Sequence, residues 1–459
     1  MKVLKFGGTS VGTIESLSHV KRIVEGLSEQ AIVVVSALGG ITDKLIYTGQ
    51  LACKGDQQFV EESQLIVKRH HDVINGIVPA DRQQEVLNIV NPLLDELLTI
   101  YKGVSLIREL SQRTLDVIVS YGERMSSVIV SRIIDGACHF DSRDIIKTEK
   151  WFNKNIAATE LTNELIHATF DNMESKVAVI GGFISTDKDS GEITNLGRGG
   201  SDYTAAIIAA AMDAEVLEIW TDVDGFMTAD PRIIKDAYVL SHLTFIESME
   251  LCNFGAKVIY PPTIYPVFHK NIPIRIRNTF NSETEGTWIT DEHRNHGILL
   301  KGVSSIADTS LIRVKIEDTL DINNISSRVY NSLSKNGVSV ILSSQKHTEN
   351  EVAFAVRNNE ETRSIELLNE EFVTELNSKE IHSIEAKAEM STVAIVGESI
   401  TSIAGIEGRL LNTLGINGVN VEAYASGASK TYVAFIVASS AMKEALQIIH
   451  NTFLSKKNQ

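Results

Sequence analysis

Residues 325–356, moved 81 positions down the chain, fall on residues 406–437 without a gap, and twelve of the 32 aligned pairs are identical. Ile325 meets Ile406, Arg328 meets Arg409, Asn331 meets Asn412, and Asn336-Gly337-Val338 meets Asn417-Gly418-Val419. Val352-Ala353-Phe354 meets Val433-Ala434-Phe435. Two stretches this alike must fold alike, so the C-terminal part is constrained to two copies of one module. Each copy reads as a helix, an Asn-Gly turn, a strand, a turn and a second strand. Leu311–Ile316 and Val393–Val396 supply a strand before each copy, and a helix follows from about Thr362 and from Met442. That order is ferredoxin-like, βαββαβ, in modules of about 70–80 residues. The modules are placed at 300–385 and 386–459, with strands free to interleave.

The first 292 residues have a different rhythm. Apolar runs at Ala31–Val35, Val177–Ile180, Glu215–Trp220 and Ile272–Ile276 read as strands. Between them lie amphipathic stretches such as Ile14–Leu27, where Ile14, Leu17, Val20, Val24 and Leu27 share a face, and residues 57–134 read as mainly helical. Alternation of this kind predicts an α/β class chain: a three-layer α/β/α sandwich around a largely parallel sheet. Ligands in such sheets lie beyond the carboxyl ends of the strands, where the glycine-bearing loops of this chain fall.

Composition removes several functions. The 459 residues carry a net charge of −16, which argues against nucleic acid or an anionic membrane surface as the main partner. Cys53, Cys138 and Cys252 are scattered, with neither a disulfide framework nor zinc-ligand spacing, as expected of a chain in a reducing cytoplasm. No apolar run reaches transmembrane length. Strand-forming residues begin at Val3, so no signal or transit peptide is expected.

Five segments carry chemistry. In Met1-Lys-Val-Leu-Lys-Phe-Gly-Gly-Thr-Ser-Val-Gly12 a strand runs into a glycine turn and a helix. Gly7 and Gly8 let the backbone approach a ligand, Thr9 or Ser10 can cap the helix, and Lys5 stands beside a ready anion site. A plain β-turn-α accounts for the same residues, and the spacing is not that of a P-loop. In Asn195-Leu-Gly-Arg-Gly-Gly-Ser-Asp202, glycines surround Arg198, whose guanidinium can grip a carboxylate or phosphate through two parallel bonds. Ser201 or Asp202 is the expected N-cap of the helix from Tyr203 to Met212. Trp220-Thr-Asp-Val-Asp-Gly225 runs on to Asp230-Pro-Arg232; its aspartates do not keep EF-hand spacing, and a nucleotide loop with Arg232 near phosphate fits better. Lys257 in Phe254-Gly-Ala-Lys257 reads either as a ligand-binding group or as a solvated helix-end lysine. Glu123 in Ser120-Tyr-Gly-Glu-Arg124 reads as a residue at a helix start, where a glutamate also simply favours the dipole.

Taken in order, Lys-Phe-Gly-Gly-Thr-Ser (5–10), Val-Ser-Ala-Leu-Gly-Gly-Ile-Thr (35–42), Gly-Glu-Arg (122–124), Gly-Arg-Gly-Gly-Ser-Asp (197–202), Trp-Thr-Asp-Val-Asp-Gly (220–225) and Gly-Ala-Lys-Val (255–258) resemble the aspartokinases of the amino-acid kinase family. The C-terminal repeat resembles the paired ACT domains of that family, in its monofunctional form. The resemblance spans the chain and implies ATP-dependent phosphorylation of L-aspartate on its side-chain carboxylate, with Mg²⁺ bridging phosphate oxygens. A sandwich kinase such as a glutamate 5-kinase or uridylate kinase, or a silent amino-acid sensor, are the competing readings.

The resemblance also implies roles. Lys5, Gly7, Gly8, Ser10 and Lys257 would meet the phosphates, with Asp202 orienting Lys5 or a metal-bound water. Arg198, within Gly197–Gly199, would hold the α-carboxylate of aspartate and Glu123 its ammonium, with Ser36, Thr42 and Ser201 bonding the substrate. Thr221, Asp222 and Arg232 match nucleotide positions, and Met227 stands where relatives often carry a tyrosine. The carboxylate nucleophile is already ionised at neutral pH, so no general base is required. The ACT pair implies a homodimer or higher oligomer and an amino-acid effector, lysine or threonine, near Asn336, Val338, Val340 and Gln345.

Overall fold

The computed structural model describes residues 1–151, 154–291, 300–317, 320–346, 350–398, 400–426 and 430–455. Two units emerge: Met1–Phe226 with Val258–His293, and Met227–Lys257 with Arg294–Gln459.

The first unit is built on a sheet of β1 (Lys2–Phe6), β2 (Ala31–Val35), β3 (Ala137–Phe140), β4 (Val177–Gly181), β5 (Val216–Thr221), β6 (Ile274–Asn278) and β7 (Thr287–Thr290). Their order is β7-β6-β5-β1-β2-β4-β3. Every pair is parallel except β6–β7. Every residue of β2 and β4 is buried, as befits strands covered on both faces.

The pleat sorts the residues of β1. Leu4 and Phe6 enter the core made with α1 (Ile14–Glu25), α2 (Ile41–Lys54), α3 (Gln58–Ile77), α4 (Ala80–Ile107) and α5 (Gln112–Ile133). Lys5 therefore faces the other way, toward α6 (Gly200–Ala211), which packs on β1, β2 and β5. Helices thus cover both faces, as the strand–helix alternation predicts. A small separate sheet joins Lys154–Ala157, Lys147–Trp151, Ile184–Asp187 and Ile193–Asn195.

Three local expectations need correction. Helix α1 is capped by Thr13, in a reciprocal box with Ser16, and not by Thr9 or Ser10. The chain first turns back on itself, Ser10 N–H donating to the Gly7 carbonyl at 2.9 Å. Helix α6 has Gly199, in left-handed conformation, as its N-cap, which puts Ser201 and Asp202 inside the first turn. Glu123 lies deep inside α5, so the helix dipole does not explain it. Ile14 is 42 % exposed, although its Cδ1 lies close enough to Gly76 that a Cβ there would clash.

The β6–β7 hairpin turns on Gly286, with φ +76° and a virtual Cβ only 1.9 Å from the Ile276 carbonyl oxygen. Thr287, the next residue, accepts the Phe226 N–H at 2.8 Å, and Asn278 donates to Asp224 at 2.8 Å, so this hairpin braces the loop after β5. Gly286→Ala is expected to cost about 3 kcal/mol, read as a lower midpoint in chemical denaturation. An unchanged midpoint would mean the turn is not held as described.

In the second unit, β8 (Gly302–Ile316), β9 (Leu342–Lys346), β10 (Glu351–Arg357), β11 (Ile381–Val396), β12 (Ala423–Ser426) and β13 (Tyr432–Ala438) form one antiparallel sheet, ordered β9-β10-β8-β11-β13-β12. The repeat is visible in the register: Leu342 pairs with Ala355 in one copy, and Ala423 pairs with Ile436 in the other, each shifted by the same 81 positions. Gly337 and Gly418 end α7 (Ile322–Lys335) and α8 (Ile406–Ile416) with φ of +77° and +78°. The long strands β8 and β11 run through both copies. Gly302–Ile306 pairs with Thr392–Val396, and Leu311–Lys315 pairs with Ser383–Lys387, with a register break between. Val314, Val329, Phe354 and Leu368 make one core, and Ile395, Leu414, Phe435 and Leu446 the other.

Candidate active site

Four loops leave the carboxyl ends of adjacent parallel strands in the first unit: residues 7–13 after β1, 36–40 after β2, 182–183 after β4 and 222–226 after β5. Backbone bonds bind them together. Gly7 N–H donates to the Trp220 carbonyl at 3.2 Å, Ser36 N–H to Phe6 at 3.1 Å and Gly182 N–H to Val35 at 2.8 Å. The loops touch through glycines. A Cβ on Gly39 would stand 2.9 Å from the Gly8 carbonyl oxygen and 3.2 Å from the Gly12 Cα, so only bare backbone fits there.

Lys5 and Asp202 meet at this edge. The ammonium lies 2.8 Å from Oδ1, and both side chains are nearly buried, at 12 % and 13 % exposed. Oδ1 takes part in no well-directed hydrogen bond, so the contact is an ion pair with the carboxylate left short of donors. Gly7 lies beside it; a Cβ there would touch the Lys5 Nζ at 3.4 Å.

Glu123 is buried in α5 next to the same edge. Its Oε1 accepts the Ala37 N–H at 3.1 Å, whereas Oε2 is buried without a partner. Burial pushes this carboxyl up to about 8, against the opposing pull of the Ala37 N–H and the Lys5 charge. One turn along, Ser126 donates to the Ser36 carbonyl at 2.7 Å and so fixes the β2 loop to the same helix. Thr42 stands half-buried in the first turn of α2, after Gly40 at φ +80°.

Arg198 is exposed on its loop, its guanidinium carbon 5.6 Å from the Tyr260 ring centre. Gly197 and Gly199 flank it at φ +72° and +70°. Ser201 is buried against Gly182, where a Cβ would come within 2.6 Å of it. Lys5, Gly7, Gly8, Ser36, Glu123, Ser201 and Asp202 therefore gather around the strand ends, with Thr221 and Asp222 closing β5. Thr221 donates to Asp222 at 3.2 Å.

Other expected site residues are placed differently. Ser10 is fully buried, its hydroxyl 2.7 Å from that of Thr279 and 3.2 Å from the Trp220 carbonyl, so it is a structural tie and not a free phosphate donor. Met227, Arg232 and Lys257 belong to the second unit. There Met227 is half-buried and bridges to Val239, Lys257 is exposed, and Arg232 is clasped by Asp230 through Nε at 3.0 Å and Nη2 at 2.7 Å. That clasp holds the Asp230 carboxyl below the usual range.

Of the expected effector residues, Asn336, Val338 and Val340 do not line one shared concavity among the described residues. Val338 is part of a hydrophobic core. Asn336 donates to the Ser332 carbonyl at 2.9 Å and lines a shallow concavity with Lys335 and Glu371, while Val340 lines another with Phe254 and Tyr432. The side chain of Gln345 lies outside the described residues. Asp116, which no motif marks, and Asn195, which opens the Asn195–Asp202 segment without an expected role, prove to be tied to the Arg198 loop.

Comparison with known proteins shows the family. Residues 1–278 match the model of the amino acid kinase family, and residues 393–453 that of an ACT domain. The chain belongs to the amino acid kinase family. Its whole length is 31 % identical to the bifunctional aspartokinase/homoserine dehydrogenase of Buchnera aphidicola, of which it spans 57 %. Among solved structures it is similar to E. coli aspartokinase III in complex with aspartate and ADP, with a TM-score of 0.83, 25 % identity, and 98 % of this chain and 99 % of that one covered. The same enzyme with lysine and aspartate gives a TM-score of 0.78 at 26 % identity, with 99 % of each chain covered. This member of the family thus joins the kinase fold to ACT-type folding in the order found in aspartokinases.

Proposed function

We propose that the chain transfers the γ-phosphoryl group of ATP to the side-chain carboxylate of L-aspartate, giving 4-phospho-L-aspartate, the first step toward lysine, threonine and methionine. The observation that carries this is Glu123: a buried carboxylate with one unsatisfied oxygen, beside a lysine at the strand ends, asks for a cation on the substrate. The ammonium of an amino acid supplies it. Aspartate accompanies ADP in the similar E. coli structure, which supports the choice.

In this reaction a carboxylate oxygen forms a bond to the γ-phosphorus while the bond to the ADP oxygen breaks. No proton changes hands, which suits a site whose strand-end loops offer no histidine. The barrier is the approach of one anion to another, so the protein's part is placement and charge. Lys5, held by Asp202, draws charge from the phosphates; Gly7 and Gly8 allow close approach; Glu123 and Arg198 hold the two ends of the amino acid. Among the described residues no cluster of metal-ligating side chains forms a cage; at the edge Asp202 is paired with Lys5 and Glu123 is buried. That donor set fits Mg²⁺ carried in on the nucleotide's own phosphates, where it supplies charge neutralisation. The ACT pair binds lysine or threonine as effector in a homodimeric, cytoplasmic enzyme; the lysine in the E. coli structure favours lysine.

Hydroxamate trapping of the acyl phosphate tests this, offering aspartate or glutamate with ATP and Mg²⁺, with and without lysine or threonine. Turnover with aspartate alone is expected, and glutamate turnover without it would sink the proposal. Arg198→Ala should raise the KM for aspartate about 30-fold and leave that for ATP unchanged, as befits a charge-assisted grip on a carboxylate at an exposed site. Equal rises in both would remove Arg198 from this role.

A further inference from the structure

Arg198 sits on a loop that ought to be loose. The residues on either side of it are left-handed glycines, which adopt many conformations when nothing holds them. One side chain ties down the start of the loop. The Asn195 side-chain Oδ1 accepts the Gly197 N–H at 3.0 Å, and its Nδ2 donates to Asp116 Oδ1 at 2.7 Å. This arrangement leaves no choice in the amide's orientation, because Gly197 needs an acceptor and Asp116 needs a donor. Asn195 is also the last residue of its strand, paired with Ile184, so its backbone is fixed before the loop begins.

Asp116 is an expensive partner. It is 7 % exposed, Gln112 donates to the same Oδ1 at 2.8 Å, and among the described residues no cation pairs with it. Burial holds this carboxyl above its ordinary range. A buried acid that faces only amides adds little stability, so its presence points to geometry. Asp116 and Glu123 lie seven residues apart on α5, two turns on one face, or about 10 Å along the axis.

We infer that Asp116 is a positioning residue: through Asn195 it sets the Arg198 loop, so that α5 fixes the spacing between the group that meets the substrate ammonium and the group that meets its α-carboxylate. The inference rests on the roles of Glu123 and Arg198 proposed above. A residue that acts through two bonds should cost less than Arg198 itself, and its loss should fall on aspartate and spare ATP.

The test uses the full chain with Asp116→Ala, Asp116→Asn, Asn195→Ala and the double alanine variant. Asp116→Ala and Asn195→Ala are each expected to raise the KM for aspartate about fivefold, with kcat and the KM for ATP within about twofold. The double variant should be no worse than either single one, because both cut the same connection. Asp116→Asn keeps an oxygen acceptor and should stay near the wild type. Hydrogen exchange of the Gly197 amide should quicken in both alanine variants and not in Asp116→Asn. The inference is overturned if Asp116→Ala leaves that amide protected, if Asp116→Asn is as damaging as alanine, or if both KM values rise together. If the wild-type chain failed to phosphorylate aspartate, the proposed function would fall, and the exchange measurement would still decide whether Asp116 sets the loop.

Discussion

Lys5→Ala is expected to reduce aspartate-dependent turnover about a thousandfold while the protein stays folded. The size follows from what the ammonium must do. A preorganised charge aimed at a transferring phosphoryl group in a nearly dry site supplies roughly 3–4 kcal/mol of transition-state stabilisation. Lys5 has the required setting: its side chain is 12 % exposed, its strand is locked between β2 and β5, and Asp202 holds the ammonium at 2.8 Å. The substitution also leaves Asp202 without its cation, so a partly buried carboxylate would then face the phosphates and repel them. Stability should change less than activity, because alanine fits a strand whose main-chain ladder is untouched and Asp202 retains some contact with water. Turnover by hydroxamate trapping, with thermal melting followed in parallel, gives both quantities. Turnover within tenfold of the wild type in a folded variant would place the phosphate site away from β1.

The elements that could be read in the sequence are those whose cause is local. The repeat is legible because its register depends on alternating residues within each copy: Phe354 and Phe435 must be buried, Gly337 and Gly418 must turn, and the strand pairing follows. The buried strands β2 and β4 are legible as unbroken apolar runs. The misplaced details depend on distant partners. Ser10 looks like a cap or a phosphate donor until Thr279, 269 residues away, takes its hydroxyl. The cap of α1 is Thr13 and not Thr9 or Ser10, and Gly12 before it lies against Gly39 of another loop, which no neighbour in sequence announces. Val338, which the resemblance puts near the effector, belongs to a hydrophobic core, a packing that only the fold reveals. Asn195 carried a usable signal, an asparagine two residues before a glycine, but its partner Asp116 could come only from the fold.

If Glu123 meets the substrate ammonium as proposed, it is expected to set the pH behaviour of both binding and stability, in opposite directions. Its carboxyl titrates near 8 in the folded protein, against an ordinary value of 4.5, chiefly through burial. Between those two pH values the folded chain keeps a proton that the unfolded chain has lost. Stability from this group is therefore fully present below about pH 4.5 and declines as pH rises toward 8, by at most about 1.4 kcal/mol per pH unit. Binding goes the other way, since only the ionised carboxylate attracts an ammonium. The KM for aspartate should fall as pH is raised from 6 to 8, approaching tenfold per unit, and then level off. Glu123→Gln keeps an acceptor for the Ala37 N–H and removes the charge. It is expected to lower kcat/KM for aspartate by about 100-fold at pH 8, flatten the profile, and leave the KM for ATP in place. The same variant should be more stable than the wild type at pH 9 and no different at pH 4.5, because it no longer buries a lone charge. A wild-type KM that is flat from pH 6 to 8, or a glutamine variant that keeps both the slope and the affinity, would mean that the unpartnered oxygen of Glu123 does not meet the substrate.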